Sequence, residues 1–198
     1  MPVPTTSLAR RLAVAATAAA TAASAVVSLA VTSGSPAGAS APQAAAAPAA
    51  PAPSAQDLAW LTFAAQANLA EVEQGKLARR IASSPGVRSF GRDMVKDHRQ
   101  QYAALEAVAT TLGVALPTRP SREQRRIVRL WSHLGSHGFT CAYVPFQWGD
   151  HQLVIAMTSM EALQGTEPAV KQAAVAALPV LQEHFEHVTM LLRDLRRC

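Results

Sequence analysis

The segment after Thr166 places an apolar or histidine side chain at every third or fourth position. This stripe comprises Val170, Ala174, Ala177, Leu181, His184, Val188, Leu191 and Leu195. Such a period is that of one face of an α-helix, which must be buried against other elements. Three further long segments show the same period and strand signals are nearly absent, so the sequence predicts an all-α domain.

Capping residues, glycines and prolines divide this domain into five predicted helices. Ser54, Ser121 and Thr166 are expected to cap the first, third and fifth of them. Pro145 and Pro179 fall inside the last two helices and are expected to bend them. The predicted helices cover about residues 55–84, 87–113, 121–137, 139–163 and 167–195.

Four of these helices are long, about 38 Å each, and short turns join them in two pairs. The connection between the pairs is long and contains the short helix. The sequence therefore predicts a ferritin-like four-helix bundle with a short extra helix in the connection between long helices 2 and 3.

The N-terminal segment has the pattern of an export signal followed by a spacer. Arg10 and Arg11 precede an alanine-rich apolar run, and small-residue cleavage sites follow near Ala39–Ala41. The paired arginines favour twin-arginine export, while an uncleaved membrane anchor is the alternative, since the run is long enough to span a bilayer. We expect a signal peptide at 1–41, a disordered Ala/Pro-rich spacer at 42–53 and a bundle domain at 54–198, placing the protein in the cell envelope or outside the cell.

The charge of the chain does not indicate a nucleic-acid partner. The full chain has 18 basic and 13 acidic residues, a net charge of +5. Loss of Arg10 and Arg11 with the signal leaves 16 basic residues against 13 acids, a net charge of +3.

Histidines that directly follow a carboxylate recur along the predicted helices, as in Asp97-His98, Asp150-His151 and Glu183-His184. Counting the helical rise from the turns places these three histidines and Glu71 near the middle of the bundle. Four buried polar groups at one level are costly unless they satisfy one another or bind something. The predicted metal ligands are Glu71, Glu73, His98, His151, His184 and His187, with zinc or copper expected first and iron next.

The same residues have a second interpretation, in which the histidines only pair with carboxylates inside an envelope or stress-related interaction protein. The order of the blocks NLAEVEQGKLA, SPGVRSFGRDMVKDH and LPVLQEHFEH resembles a family of secreted bacterial proteins with a domain of unknown function (forty-one forty-two in the usual numbering). The resemblance covers about residues 56 to 193. It implies a ferritin-like bundle and an envelope location, and it implies no reaction.

The motifs of ferritin-type di-iron enzymes are missing. Those proteins carry Glu-x-x-His on two helices. Val95 stands three positions before His98, and Leu181 stands three before His184. No hydrolase motif is present either, so the sequence argues against an enzyme.

The short helix and the two cysteines carry separate signals. Basic residues share one face of the short helix and suggest weak contact with an anionic envelope surface, the alternative being a solvated face; they are Arg122, Arg125, Arg126 and Arg129. Cys141 and Cys198 are expected at the same end of the bundle but about 10 Å out of register. A disulfide therefore requires the last residues to fold back.

Overall fold

The computed structural model describes residues 52–195 and 198. The predicted signal peptide and all but the last two residues of the predicted spacer lie outside these residues. The described part contains α-helices and no strand. The helices are α1 (Ala55–Ile81), α2 (Pro85–Thr111), α3 (Arg122–Ser132), α4 (Ser136–Gln164) and α5 (Pro168–Asp194). None of them combines the length and the apolar composition that a crossing of the bilayer demands.

The four long helices form a bundle. α1 packs along α2, α4 packs along α5, and the two pairs meet through α1 with α4 and α2 with α5. The short α3 lies in the connection between α2 and α4 and packs against α1 and α4. The predicted ferritin-like four-helix bundle with its extra helix is confirmed.

The predicted caps of α1 and α3 are present. Ser54 accepts a hydrogen bond from Asp57 N at 3.2 Å, and Asp57 Oδ2 accepts one from Ser54 N at 2.7 Å. Ser121 and Gln124 form the same reciprocal pair at the start of α3. Each box satisfies backbone donors that a helix leaves unpaired at its first turn.

The predicted boundaries near Thr166 and His137 are wrong. Glu167 caps α5, while the Thr166 hydroxyl donates to Asp57 Oδ2 at 2.7 Å because the carboxylate at the start of α1 lies within reach. The third helix ends at Ser132, and α4 begins at Ser136 after Gly135, whose backbone is extended. The extended glycine interrupts the helical hydrogen bonds and separates the two helices.

The apolar core has two main parts with polar groups between them. One part surrounds Phe90 and Tyr143, and the other surrounds Leu61 and Val170. His98 follows the first core's Met94 by one turn on α2 and precedes Leu105 of the second core, so the histidine lies between them. His151 of α4 and His184 of α5 also lie between the two parts, although along α5 the second part comes before the histidine and the first part after it.

Helices α1 and α2 approach closely where two glycines face each other. A Cβ atom added at Gly91 would lie 2.8 Å from Gly75 O and 2.8 Å from the Ala78 Cβ. Both of these atoms belong to α1, which is packed in the bundle, so they cannot move away without moving the helix. The close approach therefore depends on the absence of a side chain at this position.

Replacement of Gly91 by alanine is expected to lower the free energy of unfolding by about 3 kcal/mol, because the added methyl group forces the two helices apart. The measurement is urea unfolding followed by far-ultraviolet circular dichroism. The control is Gly149→Ala in α4, where an added Cβ meets nothing within 4 Å. That change should stabilise the protein by about 0.5–1 kcal/mol through helix propensity. If Gly91→Ala and Gly149→Ala change the free energy of unfolding equally, the close approach of α1 and α2 at Gly91 is contradicted.

The short helix α3 directs its basic residues to solvent. Arg122, Arg126 and Arg129 are exposed, and Arg125 is half-buried with its guanidinium bonded to Pro120 O. On the opposite face Trp131 is buried against the core. Leu130 and Leu134 are 59% and 40% exposed, because they lie beside the buried stripe. Contact of the arginines with an anionic surface stays a prediction.

The two cysteines form a disulfide with a Cα–Cα distance of 5.5 Å. Helix α5 ends at Asp194, and Leu195 has non-helical backbone angles. Cys198 therefore lies beyond the helix, and the register difference that helix counting gives does not apply to it.

Candidate metal centre

Three histidines from three helices meet in the middle of the bundle. His98 of α2, His151 of α4 and His184 of α5 each offer one ring nitrogen, and these nitrogens lie within 4.8 Å of one another. Each of the three residues is at most 4% exposed. The ring centroids of His98 and His184 are 5.1 Å apart, and those of His151 and His184 are 5.6 Å apart. We call these residues the histidine cluster.

A different oxygen atom holds each ring of the histidine cluster. His98 Nδ1 lies 2.9 Å from Asn68 Oδ1, and the Asn68 amide is oriented because its Nδ2 donates to Ala64 O at 2.8 Å. His151 Nδ1 lies 2.9 Å from the backbone oxygen of Gln147. Since each oxygen only accepts, the contacting ring nitrogen must carry the hydrogen.

The third ring is held by a carboxylate. His184 Nε2 lies 3.1 Å from Asp97 Oδ2, across the interface between α2 and α5. The sequence pattern pairs Asp97 with its neighbour His98, but the carboxylate contacts the histidine of another helix. Consecutive residues of a helix point about 100° apart, so Asp97 cannot follow His98 into the core.

The remaining nitrogen of each ring has no hydrogen-bonding partner among the described residues. These buried atoms are His98 Nε2, His151 Nε2 and His184 Nδ1. Because the other nitrogen carries the hydrogen, each of these atoms presents a lone pair in a neutral ring. Buried lone pairs on three neighbouring rings therefore lack a donor, which is costly unless a cation or another donor satisfies them.

Burial favours the neutral form of all three rings. It lowers the pKa of His98 well below its ordinary value, and charge on His184 or His151 would lower it further. Burial lowers the pKa of His151 to about 4. Burial also lowers the pKa of His184, although the hydrogen bond to Asp97 opposes that shift.

Phe90 closes one side of the cluster. Its side chain is fully buried, and its ring centroid lies 6.3 Å from that of His151 and 6.0 Å from that of His184. Aromatic carbon cannot hydrogen-bond to water. On this side the cluster therefore faces an apolar wall.

Glu71 lies in a second polar group beside the cluster. Its Oε2 accepts a hydrogen bond from Gln147 Nε2 at 2.7 Å. Burial raises the pKa of Glu71 well above its ordinary value, and the nearby carboxylate of Asp150 raises it further. Gln147 joins the two groups, because its backbone oxygen holds His151 while its amide holds Glu71.

The other predicted ligands lie outside the histidine cluster. Glu73 is half-buried on α1. His187 is half-buried, with its ring 5.2 Å from that of Phe90. His133 and His137 are exposed. The structure thus brings together three of the six predicted residues and adds Asn68, Asp97 and Gln147 as the groups that orient them.

An apolar cavity of about 240 Å³ lies beside His98. Trp60, Leu105 and Leu181 are among the residues that line it, together with His98. His151 and His184 do not line it. The cavity therefore borders one ring of the cluster and does not open onto the point where the three rings meet.

Comparison with known proteins identifies the fold and no activity. The sequence model of a domain of unknown function, DUF4142, matches residues 41–191. No curated protein matches the chain. Among solved structures, the crystal structure of a DUF305 fragment from Deinococcus radiodurans is similar, with 19% sequence identity and a TM-score of 0.62. The similarity covers 73% of this chain and 100% of the fragment, and at this identity it supports the fold alone.

Proposed function

This chain belongs to the DUF4142 family, a domain of unknown function, and we propose that it is an exported protein that binds a divalent transition metal through His98, His151 and His184. Two observations carry the proposal: one ring nitrogen from each of three buried histidines lies within 4.8 Å of the others, and one nitrogen of each ring has no hydrogen-bonding partner among the described residues. The pattern of residues 1–41 supports export.

The contacts that orient the three rings fit metal binding better than they fit a site in which the histidines only hydrogen-bond to one another. Metal-binding histidines commonly donate the N–H of the second ring nitrogen to a carboxylate, a backbone carbonyl or water. All three rings here donate that N–H to an oxygen, which belongs to the carboxylate of Asp97, the side-chain amide of Asn68 or the backbone of Gln147. These contacts leave the opposite nitrogens deprotonated and able to bind a metal.

The donor set selects among metals. Three imidazoles suit zinc, copper and iron, whereas calcium and magnesium require oxygen ligands. Zinc and copper are therefore the first candidates and iron the next. Three protein ligands leave one tetrahedral position for water or another small ligand. Glu71 hydrogen-bonds to the side chain of Gln147, whose backbone oxygen holds His151, so we do not place it among the ligands.

The alternative is a structural protein whose core histidines pair with carboxylates. It accounts for His184, which contacts Asp97. It does not account for His98 and His151, whose hydrogen-bonding partners are an amide and a backbone oxygen. Metal binding explains all three rings, so it is the function we propose.

Replacement of His184 by alanine is expected to weaken zinc binding by about a hundredfold or more, because the site loses a direct ligand. The measurement is calorimetric titration of demetallated protein with zinc. The parent should bind about one zinc per chain at this site and gain melting temperature, because the metal binds the folded state preferentially. His133→Ala is the control, since His133 is exposed and outside the cluster.

A second variant separates the two functions. Asp97→Asn keeps the shape at Asp97 but removes the charge that orients His184, and it should weaken zinc binding about 10- to 100-fold. If the histidines serve only structure, zinc will leave the melting curve of the parent unchanged. A parent that stays folded and binds zinc, copper and iron no more tightly than about millimolar would rule out the proposed function.

A further inference from the structure

A second group of ligand atoms lies at the end of the bundle near the start of α4. One ligand atom each from His137, Cys141 and Cys198 lies within 4.8 Å of the others. His137 Nε2 is 3.6 Å from Cys141 Sγ. The two residues are four apart on α4, a spacing that puts both side chains on one face of the helix. In the oxidised protein Cys141 is bonded to Cys198.

The group is accessible from solvent. His137 and Cys198 are exposed and Cys141 is half-buried. The histidine and Cys198 also line a surface depression with Ser83, Thr140 and Asp194. An exposed disulfide can be reached by the thiolate that must attack one of its sulfurs, which a buried disulfide prevents.

We propose that reduction of the Cys141–Cys198 disulfide creates a second metal site, in which two thiolates and the imidazole of His137 bind zinc. An external dithiol supplies two electrons and two protons: the S–S bond breaks, two cysteine thiols form, and the dithiol becomes a disulfide. Zinc then displaces the two thiol protons and forms two zinc–sulfur bonds. His137 donates the lone pair of a ring nitrogen, and water occupies the fourth position.

The geometry suits this ligand set. His137 and Cys141 are held by α4, whereas Cys198 lies beyond the end of α5 at Asp194. The position of its sulfur is therefore not fixed by a helix, whereas zinc requires a tetrahedral arrangement of its ligands. Thiolate ligands select zinc or monovalent copper over harder metals. In the oxidised state the sulfurs are committed to each other and the site is closed.

This site is independent of the histidine cluster. Cys141 precedes His151 by ten residues on α4, which is about 15 Å of helix. The two sites also differ in their donor atoms, since only the second contains sulfur. Sulfur ligation gives a spectroscopic signature that nitrogen ligands do not produce.

The test is titration with cobalt(II), which substitutes for zinc, of oxidised protein and of protein reduced with dithiothreitol and then freed of it without air. The reduced protein should develop sulfur-to-cobalt charge-transfer absorption in the near ultraviolet, and the oxidised protein should not. His137→Ala should weaken this binding by about a hundredfold. His133→Ala, an exposed histidine outside the group, should leave it unchanged.

Two results would overturn the inference. One is reduced protein that shows no charge-transfer absorption with cobalt, whether its helical circular dichroism is kept or lost. The other is reduced His137→Ala protein in which the charge-transfer absorption develops at the same cobalt concentration as in the reduced parent. Zinc binding by the oxidised protein reports the histidine cluster alone, so failure of one site is distinguishable from failure of the other.

Discussion

Replacement of Asp57 by alanine is expected to lower the free energy of unfolding by about 4 kcal/mol, because several backbone and hydroxyl donors lose one buried, charged acceptor at once. The side chain is fully buried. Its carboxylate accepts hydrogen bonds from Ser54 N and Oγ at 2.7 and 2.6 Å and from Thr166 N and Oγ1 at 2.9 and 2.7 Å. Asp57 therefore ties the start of α1 to the turn before α5.

Equilibrium unfolding in urea measures this loss. The control is Glu123→Gln, which removes an exposed carboxylate from the first turn of α3. It should change stability by less than about 0.5 kcal/mol. If Asp57→Ala lowers the free energy of unfolding no more than Glu123→Gln does, the hydrogen bonds to the Asp57 carboxylate do not stabilise the bundle.

The contribution of Asp57 should depend on pH. Burial alone would raise the pKa of Asp57, but hydrogen bonds from Ser54 and Thr166 outweigh it and hold the pKa well below the ordinary value. A lowered pKa in the folded state means that the stabilisation is fully present above the unfolded pKa of about 3.9 and is lost as the pH falls towards the folded value. Glu161 acts in the opposite sense, since burial and the neighbouring Asp57 raise its pKa. The difference between parent and Asp57→Ala should be smaller at pH 3 than at pH 7.

Loss of the Cys141–Cys198 disulfide is the second large effect that we expect. The bond joins residues separated by 57 positions. In the chain-entropy description, closing a loop of this length removes freedom from the unfolded chain worth about 4 kcal/mol. The double variant Cys141→Ser, Cys198→Ser should therefore unfold at lower urea concentration than the oxidised parent.

The reduced parent is the matched comparison for this variant. It lacks the cross-link but retains both sulfurs, so it should lose nearly as much stability as the double serine variant. A double variant as stable as the oxidised parent would contradict the prediction. Titration of thiols in unfolded, unreduced parent checks the bond itself and should find none.

The helices and the fold were predictable because their signals are local. The capping boxes at Ser54 and Ser121 involve residues three apart, and their hydrogen bonds are as expected. The start of the fifth helix differs from the prediction, because the Thr166 hydroxyl donates its hydrogen bond to Asp57, more than a hundred residues away in sequence. A contact of that kind leaves no local pattern.

The level of His98, His151 and His184 in the bundle was predictable because the rise per residue of a helix is constant. The hydrogen-bonding partners of these histidines were not predictable, because side-chain contact also depends on the rotation of each helix about its axis. Asn68 and Gln147 are buried in α1 and α4, but neither belongs to a sequence motif that would mark it as a partner of a histidine. Glu71 was expected at the same level, but its carboxylate contacts Gln147.

The disulfide was predicted only on the condition that the last residues fold back. Continuing α5 to the end of the chain would leave Cys198 out of register with Cys141. The helix ends at Asp194 instead, as Leu195 adopts a non-helical backbone conformation. Arginine-rich sequence near a helix end does not encode where that helix ends.

Diffraction from crystals soaked in zinc, recorded at the zinc absorption edge, tests the metal site most directly. We predict one anomalous peak in the bundle interior, about 2.0–2.1 Å from each of His98 Nε2, His151 Nε2 and His184 Nδ1. These are the buried nitrogens that have no partner among the described residues. An intact histidine cluster without a peak at saturating zinc, or zinc bound only at surface residues, would contradict metal binding by the three histidines.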